Sequence, residues 1–145
     1  MGLREFVLTR SINIFHVSSG SCNNCDIEIL DALTPRFDLE RFGLVLVGSI
    51  KHADIMLCTG SCNRLAVPII KKLYETMPKP GFVVVYGACG CSRGLFKDSY
   101  NTLAPLDEII PVDAYIPGCP PKPEATIAAL VKLVGKVRAG KDIRS

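Results

Sequence analysis

Four of the seven cysteines in this chain stand in settings that suit one shared metal centre. Cys22 and Cys25 form a CxxC pair, whereas Cys89 and Cys119 are remote single thiols in the segments Tyr-Gly-Ala-Cys and Pro-Gly-Cys-Pro-Pro. Four thiolates are the ligand set of a cubane iron–sulfur cluster. The spacing therefore predicts a cluster site, and with it an electron-carrying role, built from distant parts of the chain.

The CxxC pair taken alone fits three kinds of site, because zinc centres, redox dithiols and iron–sulfur clusters all use it. A redox dithiol needs no remote cysteines. A zinc site with four cysteines usually combines two compact pairs, and Cys58 with Cys62 imitates a second pair loosely. Zinc would leave Cys89 and Cys119 without a role, but the residues alone keep that alternative open.

The two single thiols lie in backbone settings typical of cofactor loops. Cys119 stands between glycine and proline, and this rigid turn lets the backbone pass close to a bulky group. A cysteine followed by proline also recurs in bacterial ferredoxin loops. Cys89 and Cys91 form a CxC, in which Cys89 is the expected ligand because it is nearer the preceding strand. Gly87 and Gly90 would allow close backbone approach and N–H···S bonds.

The remaining candidate residues have simpler explanations. Cys58 and Cys62 rival the other thiols as ligands, but we expect them to be small buried residues, because unpaired cysteine is commonly buried. His16 and His52 are lone histidines, for which we expect structural roles rather than ligation. Arg64 could face a partner, although nothing in the sequence singles it out.

Length and composition predict a single domain over residues 1–145, with a core at about 12–137 and a short basic tail at 138–145. The chain has 17 basic and 14 acidic residues, and no long basic run or basic–aromatic pattern supports nucleic-acid binding. Residues 1–10 lack the apolar run of a secretory signal, and no stretch reaches the roughly 20 apolar residues of a membrane span. We therefore expect a cytoplasmic chain whose cysteines serve as ligands or thiols rather than disulfides.

Apolar runs alternate with helical patterns along the chain. A four-residue apolar repeat over 65–77 predicts an amphipathic helix, and 82–86, bounded by glycines, is the clearest strand. Residues 89–105 are rich in Gly, Ser and Asn and predict irregular structure. Further strands are predicted at 12–17, 44–47 and 55–57, extended pieces within 109–116, and helices at 23–33 and about 122–137.

This alternation predicts an α/β fold: a doubly wound, mostly parallel sheet with flanking helices. Each cysteine setting comes just after an extended segment. In such folds the loops after the carboxyl ends of the strands gather at one edge, where ligands bind. The fold therefore predicts that thiols distant in sequence converge there.

The ordered segments GSCNNCDIE, ADIMLCTG, VVVYGACG and IIPVDAYIPGCPPKPE carry a family resemblance over about residues 12–137. The chain resembles the small subunit of group 4, membrane-bound energy-converting nickel–iron hydrogenases. It is also similar to the complex I subunit that holds the last cluster before quinone. The CxxC favours the hydrogenase branch, since complex I has two adjacent cysteines there. Asn24 departs from the family pattern, in which glycine is usual, without removing a ligand.

The resemblance implies a flavodoxin-like fold and one 4Fe–4S cluster, with Cys22, Cys25, Cys89 and Cys119 as ligands. The other three cysteines match no ligand of the family. Glu28, one helical turn beyond Cys25, corresponds to an acidic residue thought to serve proton movement between subunits. The alternative is a glutamate that stabilises the N-terminus of its helix.

The function implied by the resemblance is electron transfer to a partner. Electrons from ferredoxin would pass through a ferredoxin-like two-cluster subunit to this chain, then to a Ni–Fe site in a large subunit that reduces protons. Antiporter-like membrane subunits would move ions, and the chain would lie peripherally on the cytoplasmic face of the membrane. Two alternatives stay open: the same role in a nickel-free relative (a sulfane reductase or a quinone-reducing, complex I-like enzyme), and a zinc-binding structural module.

Overall fold

The computed structural model describes residues 11–138 of the chain. The segment 1–10, predicted to lack a signal, and the tail beyond 138 lie outside the described residues. Within them lie five strands and four helices, and all of these elements except the short helix after the fourth strand follow the predicted order. The elements are β1 (Ile12–Ser18), α1 (Asn24–Ala32), β2 (Leu44–Leu46), β3 (Ile55–Thr59), α2 (Ala66–Thr76), β4 (Phe82–Tyr86), α3 (Ala88–Ser92), β5 (Ala114–Ile116) and α4 (Pro123–Arg138).

The strands form one sheet in the order β2-β1-β3-β4-β5, and every neighbouring pair is parallel. This is the flavodoxin-like, doubly wound order, so the predicted fold class is confirmed. The chain leaves β1 toward β2 on one side and returns to β3 on the other. The crevice at the carboxyl ends of β1 and β3 is the topological switch point, where such folds bind ligands.

Apolar side chains cover both faces of the sheet, which explains why its strands are continuous apolar runs rather than alternating ones. All five residues of β3 are buried. One core lies between the sheet and helices α1 and α4, and includes Ile14, Leu57 and Leu130. The second lies on the opposite face and includes Met56, Ile70 and Val85.

The register aligns the carboxyl ends of four strands in one row. Ser18 of β1 pairs with Thr59 of β3, Thr59 with Tyr86 of β4, and Tyr86 with Ile116 of β5. The loops that carry the first cysteine pair and the two remote thiols begin just beyond this row. Parallel pairing thus brings segments far apart in sequence to one edge.

Helix α2 forms where the apolar repeat predicts it, but the repeat does not mark its buried face. Ile70 is fully buried, whereas Leu65 and Ile69 are 79% and 58% exposed. A helix with 3.6 residues per turn rotates about 100° per residue, so a four-residue repeat winds by about 40° at each step. Its first members therefore point away from the sheet, while Leu73 and Met77 reach the core.

In helix α1 the buried face also differs from the apolar pattern of the predicted helix 23–33. Ile27 and Leu30 are exposed, whereas Ile29 is buried. Two further predictions need correction. Residues 89–105 are not wholly irregular, since α3 begins at Ala88 and a 3-10 turn follows at Gly94–Phe96. Strand β3 continues to Thr59, two residues beyond the prediction, so that Cys58 lies within the strand rather than after it.

Among residues 11–138, no helix combines the length and the apolar character that crossing a bilayer requires.

Replacing Ile70 and Ile69 separately by alanine tests which face of α2 is buried. We expect Ile70→Ala to lower the free energy of unfolding by about 2–5 kcal/mol, because it leaves a cavity in the core. Ile69→Ala is the same change on the neighbouring residue and should alter it by no more than about 0.5 kcal/mol. Chemical denaturation of the full chain measures both. Equal losses would contradict the assignment of the buried face.

Candidate metal centre

The candidate centre lies at the carboxyl edge of the sheet. Backbone hydrogen bonds join two of the three cysteine loops to each other and the third loop to β3. After β4, the Gly87 N–H donates to the Ile116 carbonyl at 2.9 Å and the Ala88 N–H donates to the Gly118 carbonyl at 2.7 Å. After β1, the Ser19 N–H donates to the Thr59 carbonyl at 2.8 Å. The loops that carry Cys89 and Cys119 are thus bonded directly to each other, and the CxxC loop is bonded to β3.

The CxxC pair spans the start of α1. Asn23 adopts a left-handed conformation (φ 72°), and the helix begins at Asn24. Cys25 therefore lies in the first helical turn and is buried, whereas Cys22 precedes the helix and is exposed. The N-terminus of a helix favours negative charge, so it acts on a thiol here in the direction opposite to burial.

Electrostatics shows that the four predicted thiols share one environment. Burial raises the pKa of Cys25 to about 11, with further increases from the charges of Cys22, Cys89, Asp26 and Cys119. Four thiolates at this edge would repel one another. They become compatible when a positively charged group lies among them.

Cys89 has its own partners within this group. Its pKa is raised by burial and by the charges of Cys119 and Cys22. The backbone N–H of Leu95 donates a hydrogen bond to its sulfur and acts in the opposite direction. The sequence predicted that Gly87 and Gly90 would allow N–H···S bonds at this loop, and the Leu95 N–H is a donor to the Cys89 sulfur.

The other three cysteines are directed elsewhere. Burial, reinforced by the charge of Cys62, raises the pKa of Cys58 far above its usual range. Burial also raises the pKa of Cys62, against a hydrogen bond with Ser19. Cys91 packs with both against the core beneath α2, and burial, Asp107 and Cys89 raise its pKa. The expectation that Cys58 and Cys62 are small buried residues is consistent with this packing.

Gly87 lets the Cys25 sulfur lie directly against the backbone. A Cβ atom at this position would lie 2.7 Å from the Cys25 Sγ, closer than packed atoms tolerate. Its φ of +88° lies in the region that disfavours side chains. Gly118, next to Cys119, has a φ of +148°, and a Cβ there would lie 2.7 Å from the Pro121 backbone. The backbone thus lies close to the Cys25 sulfur at Gly87, and at Gly118 the turn beside Cys119 is closed tightly against Pro121.

No single-ion site is preformed among the residues that the structure describes. Zinc–sulfur bonds are about 2.3 Å long, so four tetrahedral sulfurs stand about 3.8 Å apart. Within residues 11–138, no group of three or more His, Cys, Asp or Glu side chains has the arrangement that would hold one metal ion. A cubane has an iron at each of four corners and takes one thiolate at each.

A hydrogen-bonded carboxylate lies directly beside the cysteine pair. The Oδ1 of Asp26 accepts from the Thr59 hydroxyl at 2.6 Å and lies 2.9 Å from His16 Nε2, and its Oδ2 accepts from the Ser21 hydroxyl. Burial alone would raise the pKa of Asp26, but the hydrogen bonds from Ser21 and Thr59 and the attraction of His16 outweigh it and lower that pKa.

Sequence reasoning did not find this network, and it assigned His16 only an unspecified structural role. A signal was available. His16 and Thr59 are polar residues at the carboxyl ends of two apolar strands, and the alternation of each strand directs them to the face that α1 covers. Asp26 directly follows the second cysteine of the pair.

Glu28 lies on α1, one turn beyond Cys25, and is half-buried. Both Glu28 and Cys25 act on the fully buried Tyr86. Burial raises the pKa of Tyr86, the Thr126 hydroxyl opposes this, and the charges of Cys25 and Glu28 raise it further. The Tyr86 hydroxyl donates to the Pro121 carbonyl at 3.0 Å, so it is fixed beneath the loop of the last cysteine.

Two other sequence candidates lie outside this group. His52 is exposed in a 3-10 turn (Ile50–His52) that precedes β3, and therefore lies at the opposite edge of the sheet. Arg64 is exposed, and its backbone N–H donates to the Asn101 carbonyl at 3.0 Å.

Comparison with known proteins matches residues 22–133 to the family described as NADH ubiquinone oxidoreductase, 20 kDa subunit. A probable membrane-bound hydrogenase subunit, mbhJ, of Pyrococcus furiosus is 52% identical over 128 residues, which cover 88% of this chain and 77% of that protein. Subunit 7 of formate hydrogenlyase from Escherichia coli is 44% identical over 128 residues, 88% of this chain and 50% of that protein.

A solved structure is also similar. It is a chain of the membrane-bound sulfane sulfur reductase, an archaeal respiratory membrane complex. The two folds superpose with a TM-score of 0.83 and 35% sequence identity, over 95% of this chain and 76% of the other. The relatives are thus subunits of oxidoreductase complexes.

Alkylation of the thiols tests the separation between the two groups of cysteines. A thiol reacts as its thiolate, so the buried Cys58 and Cys62, whose pKa values are raised, should stay unlabelled by iodoacetamide at pH 8 in the folded chain. Both should be labelled once the chain is denatured, and mass spectrometry of the digested protein reads each site. Labelling of Cys58 in the folded chain would contradict its assignment to the core.

Proposed function

Since this chain belongs to the NADH ubiquinone oxidoreductase 20 kDa subunit family, we propose that it is an electron-transfer subunit that holds one 4Fe–4S cluster. The proposed ligands are Cys22, Cys25, Cys89 and Cys119. The proposal depends chiefly on one observation: the loops that carry these four thiols leave the sheet at the same edge, where backbone hydrogen bonds join the Cys89 and Cys119 loops.

The local chemistry of the four thiols supports a cluster. Their mutual repulsion is relieved by a group that brings positive iron to each sulfur, and the absence of a side chain at Gly87 lets the Cys25 sulfur lie against the backbone of the Cys89 loop. When bound, a 4Fe–4S cluster accepts and releases single electrons. The chain contributes the N-terminus of α1, which favours negative charge, and the Leu95 N–H, which donates to the Cys89 sulfur. Tyr86 closes the site from below.

The proposed electron path runs between subunits of a membrane-associated complex. A ferredoxin-like two-cluster subunit would deliver electrons to this chain, and a large subunit with a Ni–Fe site would receive them and reduce protons. Antiporter-like subunits would couple this reaction to ion movement. The 52% identity to a probable membrane-bound hydrogenase subunit supports this version of the complex. The chain would lie peripherally on the cytoplasmic face of the membrane.

Several large apolar side chains are exposed near the site, which supports a surface that a partner subunit covers. Leu65 immediately precedes α2, and Ile69 lies one turn further along. Leu95 and Tyr100 follow the Cys89 loop, with 92% and 91% of their surface exposed. The Arg64 N–H bond to Asn101 places the start of α2 beside this last segment. Scattered exposed apolar residues are ordinary, but several large ones beside a redox site are consistent with a subunit interface.

We further propose Glu28 as the residue of this chain that passes protons toward a partner subunit. Its place one turn beyond Cys25 and its influence on the buried Tyr86 put a carboxylate beside the redox site. The alternative remains a glutamate that only stabilises the N-terminus of α1.

A nickel-free complex is the second candidate for the same role. It is favoured by the TM-score of 0.83 to a chain of the sulfane sulfur reductase. In that complex this chain would still carry electrons, but the large subunit would hold no nickel. A zinc-binding structural module is the third candidate, from a different functional class.

Replacing single cysteines tests the ligand set. Cys119→Ser should abolish the cluster or make it labile, because one iron loses its thiolate, whereas the matched change Cys62→Ser should leave it intact. Iron content and the electron paramagnetic resonance spectrum of the reduced complex, isolated without oxygen, measure the outcome. Normal iron in Cys119→Ser would disprove that ligand, and cluster loss in Cys62→Ser would move a ligand to the Cys58–Cys62 pair.

Elemental analysis of the native complex, isolated through a tag on this chain, separates the candidate functions. Iron with stoichiometric nickel is the result expected for the hydrogenase. Iron without nickel would favour the nickel-free relative and retain the electron-transfer role. Zinc bound to this chain in place of iron would refute the cluster and leave the structural module.

A further inference from the structure

We infer that Asp26 sets the reduction potential of the proposed cluster, because its carboxylate is held beside Cys25 and opposes the arrival of an electron. This inference rests on the proposed function, since it needs a cluster on Cys25. It concerns a residue that is not a ligand. Asp26 would act on the cluster through its charge rather than through a bond to iron.

The position of Asp26 is fixed from three sides. Thr59, at the carboxyl end of β3, donates to Oδ1, and His16, on the neighbouring strand β1, lies 2.9 Å from the same oxygen. Ser21, which immediately precedes the first cysteine, donates to Oδ2. The carboxylate therefore joins the cysteine loop to the sheet, and its direction is set by partners on two strands.

Two of the three partners of Asp26 are neutral hydroxyls, which leave its negative charge in place. Thr59 and Ser21 are neutral donors, and in the described part of the chain His16 is the ion-pair partner of Asp26. The side chain of Asp26 is only 17% exposed, so bulk water screens it weakly. The carboxylate is tied to both ends of the CxxC pair, because Asp26 directly follows Cys25 and accepts a hydrogen bond from Ser21, which directly precedes Cys22.

A fixed negative charge lowers the potential of a nearby cluster for an elementary reason. Reduction adds one electron, so the negative charge of the cluster and its thiolates increases by one. A carboxylate nearby makes that increase less favourable, and net charge near the cluster is among the factors that set its potential. Removing the charge of Asp26 should therefore raise the potential.

Hydrogen bonds to sulfur act in the opposite direction. The Leu95 N–H donates to Cys89 and stabilises negative charge there, which favours the reduced state. The two influences lie on different ligands of the same site. The potential of the cluster therefore reflects a balance between Asp26, at the start of α1, and the backbone beyond α3.

The test is a potentiometric titration of the intact complex, followed by electron paramagnetic resonance at one fixed pH. The signal of this cluster is the one that disappears in Cys119→Ser. In Asp26→Asn, which keeps the size of the side chain and removes its charge, the one-electron equilibrium should favour reduction about tenfold more, a rise of about 59 mV. Asp26→Glu, which keeps the charge, should stay near the wild-type potential.

Two control variants separate charge from mere displacement of the loop. Asp31→Asn is the same chemical change on the same helix, at a residue that is not among the charges acting on Cys25, and it should leave the potential unchanged. Thr59→Val removes a hydrogen bond to Asp26 but keeps the carboxylate, so it should not raise the potential. A rise in Thr59→Val equal to that in Asp26→Asn would overturn the inference.

The remaining outcomes are also decisive. An unchanged potential in Asp26→Asn refutes the inference while the cluster itself remains established. If Asp26→Asn and Asp26→Ser both lose the cluster while Asp26→Glu retains it, the carboxylate builds the site rather than setting its potential, and the inference is again wrong. If no signal disappears in Cys119→Ser, the proposed function fails first.

Discussion

Thiolates repel one another, and this chain gathers four thiols in one place. The fold makes this possible because all strands run parallel, so the loops after β1, β4 and β5 leave the sheet at the same edge. An antiparallel sheet would send alternate loops to opposite edges. Ser18, Thr59, Tyr86 and Ile116 form a row of paired residues at this edge, and the loops of the four proposed ligands begin just beyond it.

Local features then counter the repulsion at short range. Cys25 lies in the first turn of α1, the Leu95 N–H donates to Cys89, and Gly87 has no side chain to hinder the Cys25 sulfur. Asp26 works against them, since its own negative charge lies beside the same thiols. A negative charge at this place is compatible with binding a positive group. In addition, Ser21, Thr59 and His16 hold the Asp26 carboxylate in one position.

The order of strands and helices could be predicted from sequence, because apolar runs and helical repeats alternate clearly and β4 is bounded by glycines. The convergence of Cys22, Cys25, Cys89 and Cys119 followed from the same pattern. The buried face of α2 could not be predicted, since a four-residue repeat winds around the helix and the contact of Ile70 with the sheet is a tertiary property.

The Asp26 network was also beyond the sequence pattern. It depends on the register that brings His16 and Thr59, on neighbouring strands, under the same turn of α1. Register is set by packing over the whole sheet, whereas a motif contains only neighbouring residues. Similarly, Cys58 follows no visible boundary in the sequence, and its place inside β3 became clear only from the length of the paired strand.

Cys25 is both a thiol of the site and a member of the core beneath α1 and α4. Any group that binds it together with Cys89 and Cys119 closes long loops of the chain and lowers the entropy of its unfolded state. Metal loading and folding are then thermodynamically linked, as in other domains whose ligands come from distant segments. In the assembly of a larger complex, a partner that recognises the finished edge would select loaded chains over empty ones, so that the core itself acts as a maturation checkpoint.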